Sequence, residues 1–274
     1  GAPAGVQAQF QLAALPVSGT LGYAQGGLAL RLNASTPLEA AAVWNLLRPR
    51  RPDLVQRVLG DVLGGTPSVP AWLRPLHAQA GLDFAQLDWH GIPVHLRMQL
   101  QARADGWSSP SLAIHTAGGD FLGEGKLTAG GYQISGAVAP SAALRLAPLL
   151  APTPYAGHIR GELSGTVTVT RPLSGGDLRQ VDAGGEFLLR NGSLTTVDGP
   201  WRFQRCRGRF TLHAGEAVVS GLECLRGGGT YRGSAKVSFA DPTAPQVTVT
   251  LARGSETLHL SGAAPAPVTS HIPR

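Results

Sequence analysis

Lysine is nearly absent: Lys126 and Lys236 are the only two, so the formal net charge of +6 rests on arginine. Such a balance fits either an anionic partner such as a lipid head group or a solvated face that happens to prefer arginine. It does not fit nucleic acid, because the basic residues are spread along the chain and no recognition module accompanies them. Cysteine is limited to two residues, which excludes a disulfide-dense scaffold. No stretch of about 18 apolar residues occurs, so no helix is expected to cross a membrane. Catalytic signatures are missing too: there is no Gly-x-Ser-x-Gly, phosphate loop, His-Glu-x-x-His or Cys-x-x-Cys. The eight histidines are scattered, and His90 and His95 lie too far apart on a strand-like stretch to form an obvious metal pair. The chain is therefore expected not to be an enzyme and to need neither cofactor nor metal. Charged residues make up 15%, against a usual fraction of about 25%. A chain so poor in charge and rich in strands must manage its sheet edges.

What the sequence has in abundance is alternation. From Gly157 to Gly262 it reads as short strands on tight turns: Glu162 to Thr170, Gly185 to Arg190, Gly208 to His213, Ala235 to Phe239, Gln246 to Leu251 and Thr257 to Ser261. Successive side chains of a strand face opposite ways. Leu163, Val167 and Val169 thus share a face, as do Phe187 with Leu189, Phe210 with Leu212, Val237 with Phe239, and Val247 with Val249 and Leu251. Leu258 and Leu260 sort in the same way. The other face carries Thr, Ser, Arg, Lys and His, the mark of an antiparallel sheet with one wet side. The apolar face must be covered by a second layer, close on itself or bind something apolar.

The amino-terminal part adds strands at Gln9 to Ala13 and Gly27 to Asn33, with Gly-rich turns between. Thr36-Pro-Leu-Glu39 is a capping box with proline at the first helical position, predicting a helix to about Leu47. A second helix over Asp53 to Leu63 carries an apolar stripe of Leu54, Val55, Val58, Leu59, Val62 and Leu63 and is expected to cap the sheet. Strand signals resume at Leu82 to Trp89, Val94 to Leu100 and Leu112 to His115. The run Gly118-Gly-Asp-Phe-Leu-Gly-Glu-Gly-Lys-Leu127 then returns as Gly228-Gly-Thr-Tyr-Arg-Gly-Ser-Ala-Lys-Val237, an offset of 110 (228 − 118). A capped segment at Ser141 to about Leu146 follows the Thr36 helix at a similar distance. Duplication at this period predicts two copies of one β-rich unit, residues 1–136 with a helical insertion at 36–64 and residues 137–262. Residues 263–274, rich in Ala and Pro, are expected to be a disordered tail. The chain begins Gly1-Ala-Pro-Ala4 without Met or a signal peptide and is expected to be a piece of a longer protein.

Cys206 and Cys224 flank the turn at His213 to Glu216, and Gly215 is their midpoint in the sequence. A hairpin would set them opposite each other within disulfide reach unless a bulge shifts the register; the alternative is two free buried thiols. Asn191-Gly192 begins a glycosylation-type triplet with Ser193 but is read as a turn.

Gly157-His-Ile-Arg-Gly-Glu-Leu-Ser-Gly165, then Gly185 to Leu194 with its Asn-Gly, then the hairpin stretch Phe210 to Ala217 and the Gly-Gly strand Gly228-Gly-Gly-Thr-Tyr-Arg-Gly233 form a succession of glycine-bounded strands that resembles the AsmA-like family of bacterial envelope proteins. That superfamily also holds TamB and the bridge-like lipid transfer proteins, and Leu82 to Leu127 resembles its preceding unit. The resemblance implies a long, curved antiparallel β-sheet groove of two repeated units with short capping helices. It implies a periplasmic location, an anchor in the inner membrane through a transmembrane helix outside this chain, and a role in outer-membrane biogenesis or phospholipid transport. On that reading the twelve alternating residues from Leu163 to Leu251 named above line a groove for phospholipid or another acyl lipid, and an outer-membrane protein is a conceivable partner. The alternative is a structural β-scaffold of the cell envelope with a self-filled core and no ligand. A carbohydrate-binding or hydrolytic β-protein is disfavoured by dispersed tryptophans and the lack of a carboxylate pair.

Overall fold

In the computed structural model the described residues are 6–12, 17–24, 27–34, 38–39, 79–89, 91–103, 106–128, 131–153, 155–171, 180–241, 244–264 and 268–273. The chain is mainly β, and its strands run predominantly antiparallel. It forms two compact units, residues 1–116 with 121–134, and residues 117–120 with 135–274.

In the first unit β1 (Val6–Leu12), β2 (Val17–Ala24) and β3 (Gly27–Ala34) pair antiparallel in succession. Where Gly-rich turns were expected between the first two strand signals, β2 is a full strand; Gly19 and Gly22 thin its hydrophobic alternation without breaking its ladder. The short β4 (Leu38–Glu39) lies parallel to β5 (Gln79–Trp89), and so does β3. This corrects the helix expected from Thr36: Leu38 and Glu39 are extended and pair with Leu87 and Asp88. Leu38 is buried with Val17, Ala34 and Phe84, so tertiary burial has overruled a local cap. The rest of that expected helix, and the one over Asp53 to Leu63, lie outside the described residues. Next come β6 (Ile92–Arg103) and β7 (Gly106–Thr116), each antiparallel to the strand before. They are followed in the chain by β8 (Gly119–Thr128) and β9 (Gly131–Val138).

In the second unit the segment expected as a helix at Ser141 to Leu146 is a 3-10 turn over Pro140–Ala142 and a two-residue strand, β10 (Leu144–Arg145). The α-helix, α1 (Leu146–Leu150), begins only there and has no side-chain cap. It sits tightly on Gly118, where a Cβ would come within 2.7 Å of Leu149 Cγ. The Arg145 N–H donates to the Gly118 carbonyl at 2.7 Å, so the turn before β8 and the start of the helix are tied together. Seven long strands follow, each antiparallel to the last: β11 (Ile159–Arg171), β12 (Asp182–Thr196), β13 (Gly199–His213), β14 (Glu216–Arg226), β15 (Gly229–Ser238), β16 (Gln246–Arg253) and β17 (Glu256–Ala263). Residues expected as a disordered tail contribute β18 (Val268–Pro273), paired with β17 from Ser261↔Val268 to Glu256↔Pro273. Val268, Thr269 and Ile272 supply the strand preference that the neighbouring Ala and Pro obscured.

The 110-residue offset recurs in the strand ends: Arg103, Gly106, Thr116, Gly119 and Thr128 correspond to His213, Glu216, Arg226, Gly229 and Ser238.

Candidate functional site

The registers of β11 to β17 align the apolar residues into rows across the sheet. One row runs Val169, Ala183, Leu212, Ala217, Val237, Val247; the next runs Val167, Gly185, Phe210, Val219, Ala235, Val249, Leu260. Below them Leu163, Leu189, Cys206, Cys224 and Tyr231 form another, and Phe187 faces Gly165 on one side and Gly208 on the other. All the alternating residues expected on one face are thus brought to one face. Phe239 follows β15 and is held by its N–H donating to the Gly215 carbonyl at 2.8 Å. Eleven of the twelve are half-buried, while Thr166, Thr211, Thr248 and Thr250 on the reverse are exposed. Leu251 differs: it is 0% exposed, so it belongs to the core and not to an accessible lining.

That core joins Leu251, Leu258 and Leu260 to Trp201, Cys206, Leu222, Cys224 and Tyr231. Its members come from β13 to β17, and the half-buried residues packed against it, among them Phe187, Phe203, Val219 and Val249, come from β12 to β16. Glycine makes room for the rings. A Cβ on Gly208 would stand 3.2 Å from Phe187 Cε1, and one on Gly185 would stand 3.1 Å from Phe210 Cε1 while striking the Thr166 carbonyl. Each ring therefore lies across the backbone of the next strand, where a side chain would exclude it.

Trp201, Phe203 and Leu194 were not legible as part of this face, because the alternation slips. On β12 the half-buried Phe187 and Leu189 are followed by exposed Arg190 and Asn191 together, after which Gly192 and Thr196 are the buried positions. On β13 Gln204 and Arg205 are both exposed, and Trp201 is buried. The cause is a bulge: Asn191 takes φ 50°, and the register against β11 shifts between Arg160 and Glu162. Asn191-Gly192, expected as a turn, lies inside a continuous strand; asparagine supplied the left-handed residue, but for a bulge.

Cys206 and Cys224 form a disulfide with Cα atoms 4.1 Å apart, and both are buried. The hairpin closes at His213↔Glu216 over Ala214 (φ 50°) and Gly215 (φ 76°), a two-residue turn with both φ positive. A regular ladder from that turn would set Cys206 opposite Glu223. The register shifts between Arg207 and Arg209, where Gly221 at φ 58° adds a residue to β14, and Cys224 moves opposite Cys206. The bulge thus makes the pairing that symmetry about Gly215 predicted.

The reverse face is ordered by charge. Glu223 accepts from Arg207 Nε at 2.8 Å and from Arg232 Nε at 3.0 Å. The Arg207 hydrogen bond, then that of Arg232, holds its carboxyl below the usual range. In the first unit Asp83 is held low in the same way, chiefly by its hydrogen bond with His95 at 2.7 Å. Among the described residues no group of three or more His, Cys, Asp or Glu could hold a metal ion, and no helix is long and apolar enough to cross a membrane.

No family model, curated protein or solved structure matches this chain.

Proposed function

We propose that the second unit binds acyl chains of a phospholipid or other acyl lipid on the apolar face of β11 to β16. In this reading it is a segment of an AsmA-like periplasmic sheet that carries lipid between the inner and outer membranes or serves outer-membrane assembly. One observation carries it: the rows through Val167, Phe210 and Val249 stay half-buried across several strands without being closed over, and the reverse face is mainly polar, with Leu188 and Val218 as its apolar exceptions. A contiguous apolar patch that remains accessible is a place where something apolar binds. Each methylene of a chain removed from water contributes about 0.8 kcal/mol, so a long chain gains on the order of 10 kcal/mol without a polar contact.

A self-filled scaffold is the second reading, favoured by Leu251, Leu258 and Leu260, which at 0% exposure are covered by the protein's own residues. Photo-crosslinkers separate the two. Placed at Val167, Phe210 and Val249 in cells they should label phospholipid, and at the exposed Thr211 and Thr248 they should not. Equal labelling of both faces, or none on either in a folded protein, would favour the scaffold.

A further inference from the structure

Over most of the polar side of the second unit, cations meet carboxylates. Arg207 and Arg232 share Glu223, Arg209 reaches Glu186 at 2.7 Å, and Lys236 reaches Glu216 at 2.7 Å. Around the Asn191 bulge this pattern stops. Arg190 stands directly opposite Arg205, and Arg160 and Arg202 stand on either side of Ser193. All four arginines are exposed, and among the described residues none makes an ion pair. The one carboxylate in their rows is Glu162, opposite Arg190 on β11. Like charges placed directly opposite in a sheet destabilise it, as Arg190 and Arg205 do here, and Arg160 and Arg202 add two more cations without an ion pair beside Ser193, a cluster that an anion would relieve.

The bulge is what gathers them. Residues three apart on a regular strand face opposite ways, yet exposed Arg202 and Arg205 come out together because the alternation slips between them. Arg160, Ser193 and Arg202, with Asn191 and Gln204, line a shallow depression of about 490 Å³. Neighbouring strands lie about 4.8 Å apart, so the backbones of Arg160 and Arg202 are separated by roughly 10 Å with Ser193 between them. Two guanidinium forks at that spacing can close on one tetrahedral anion, and the serine hydroxyl beneath can donate a third hydrogen bond.

We propose that the Arg160–Ser193–Arg202 row is a binding site for a phosphate group, carried by an acidic phospholipid head group or free in solution. The lipid source rests on the acyl-binding reading above; the phosphate site itself does not.

The test uses the whole chain. Vesicles of phosphatidylglycerol in phosphatidylcholine, vesicles of phosphatidylcholine alone, and inorganic phosphate are titrated against the native protein, Arg160→Gln/Arg202→Gln, and Arg209→Gln as a control at an exposed arginine that already has a partner. The double variant should bind the acidic vesicles about tenfold more weakly or worse, as expected for loss of charge-assisted hydrogen bonds, while the control stays near native. Phosphate titrating the native protein but not the double variant, with no preference for acidic vesicles, keeps the site and assigns it to soluble phosphate. Native-like binding of both probes by the double variant, or an equal loss in Arg209→Gln, overturns it. Lipid labelling at Phe210 is followed in parallel: its absence in a native protein that still binds phosphate sinks the acyl reading alone, and its persistence in a double variant that binds phosphate as the native protein does sinks the phosphate site alone.

Discussion

In the hairpin β6–β7 Leu96 stands opposite Ile114; 110 residues further on, in β13–β14, Cys206 stands opposite Cys224. The equivalent position is held by an aliphatic pair in one unit and by a covalent bond in the other. Both hairpins shift register on their second strand. In β7 the shift falls between Ser108 and Ser111, where Pro110 is tolerated because a bulge asks no ladder hydrogen bond of it, and the buried Ser109 hydroxyl donates to the Ser111 carbonyl at 3.0 Å. In β14 the same task falls to Gly221 and its positive φ. The charges differ as well. Arg207, Glu223 and Arg232 form a bridged row, whereas the positions 110 earlier are Arg97, Ala113 and Leu122, with Arg97 turned to Asp83 at 3.3 Å and Leu122 left 59% exposed. The shared requirement is the shifted ladder; the chemistry that secures it is interchangeable.

If that is so, the largest effect comes from removing the covalent pair. Cys206→Ala/Cys224→Ala should cost about 3 kcal/mol in urea unfolding, the expectation for a loop of this length, and Leu96→Cys/Ile114→Cys should form a second disulfide, seen as no free thiol after denaturation. Free thiols in the engineered pair would show that the two hairpins are not equivalent in register. Next in size is the bulge itself. Gly221→Val forces a β-branched side chain to positive φ and should destabilise by about 1–2 kcal/mol, with a measurable rise in free thiol as Glu223 competes for the place opposite Cys206. Full oxidation at native stability would mean that the bulge does not need glycine. The smallest effect concerns Glu223. Its carboxyl is held below the ordinary range, so its contribution is fully present above that range and is lost as pH falls through the depressed value. Glu223→Gln should flatten the acid limb of stability slightly while barely moving it at neutral pH, since solvent screens so open a pair. An acid limb as steep as the native one would assign the slope to other carboxylates.

Strand identity was legible where alternation was clean, as in Glu162 to Thr170 or Gln246 to Leu251, because no register shift interrupts the period of two there. It failed where glycine diluted the pattern, in β2, and where composition pointed to disorder, in β18. The capping box at Thr36 was misleading for a different reason: a cap states a local preference, and Leu38 obtained more from burial beside Phe84. On the candidate face, eleven half-buried apolar positions followed from parity alone. Trp201 and Phe203 did not, since parity holds only up to the next bulge, and Asn191 looks the same in a sequence whether it makes a turn or a bulge. The four arginines became visible as a group only once that slip was known.

The disulfide has a further meaning under tension. Strands β11 to β18 each pair with their neighbours in sequence, so a force applied to the ends of the chain draws them out one after another. The bond between Cys206 and Cys224, 18 residues apart in sequence, lets the load pass directly from β13 to β14 and shields the hairpin between them. At about 3.5 Å per residue, roughly 60 Å of contour stays hidden from the pull until the bond is reduced. A pulled chain should lengthen by that amount when reductant is added, and the hairpin that carries the Gly221 bulge is the one piece of the ladder that stretching cannot erase.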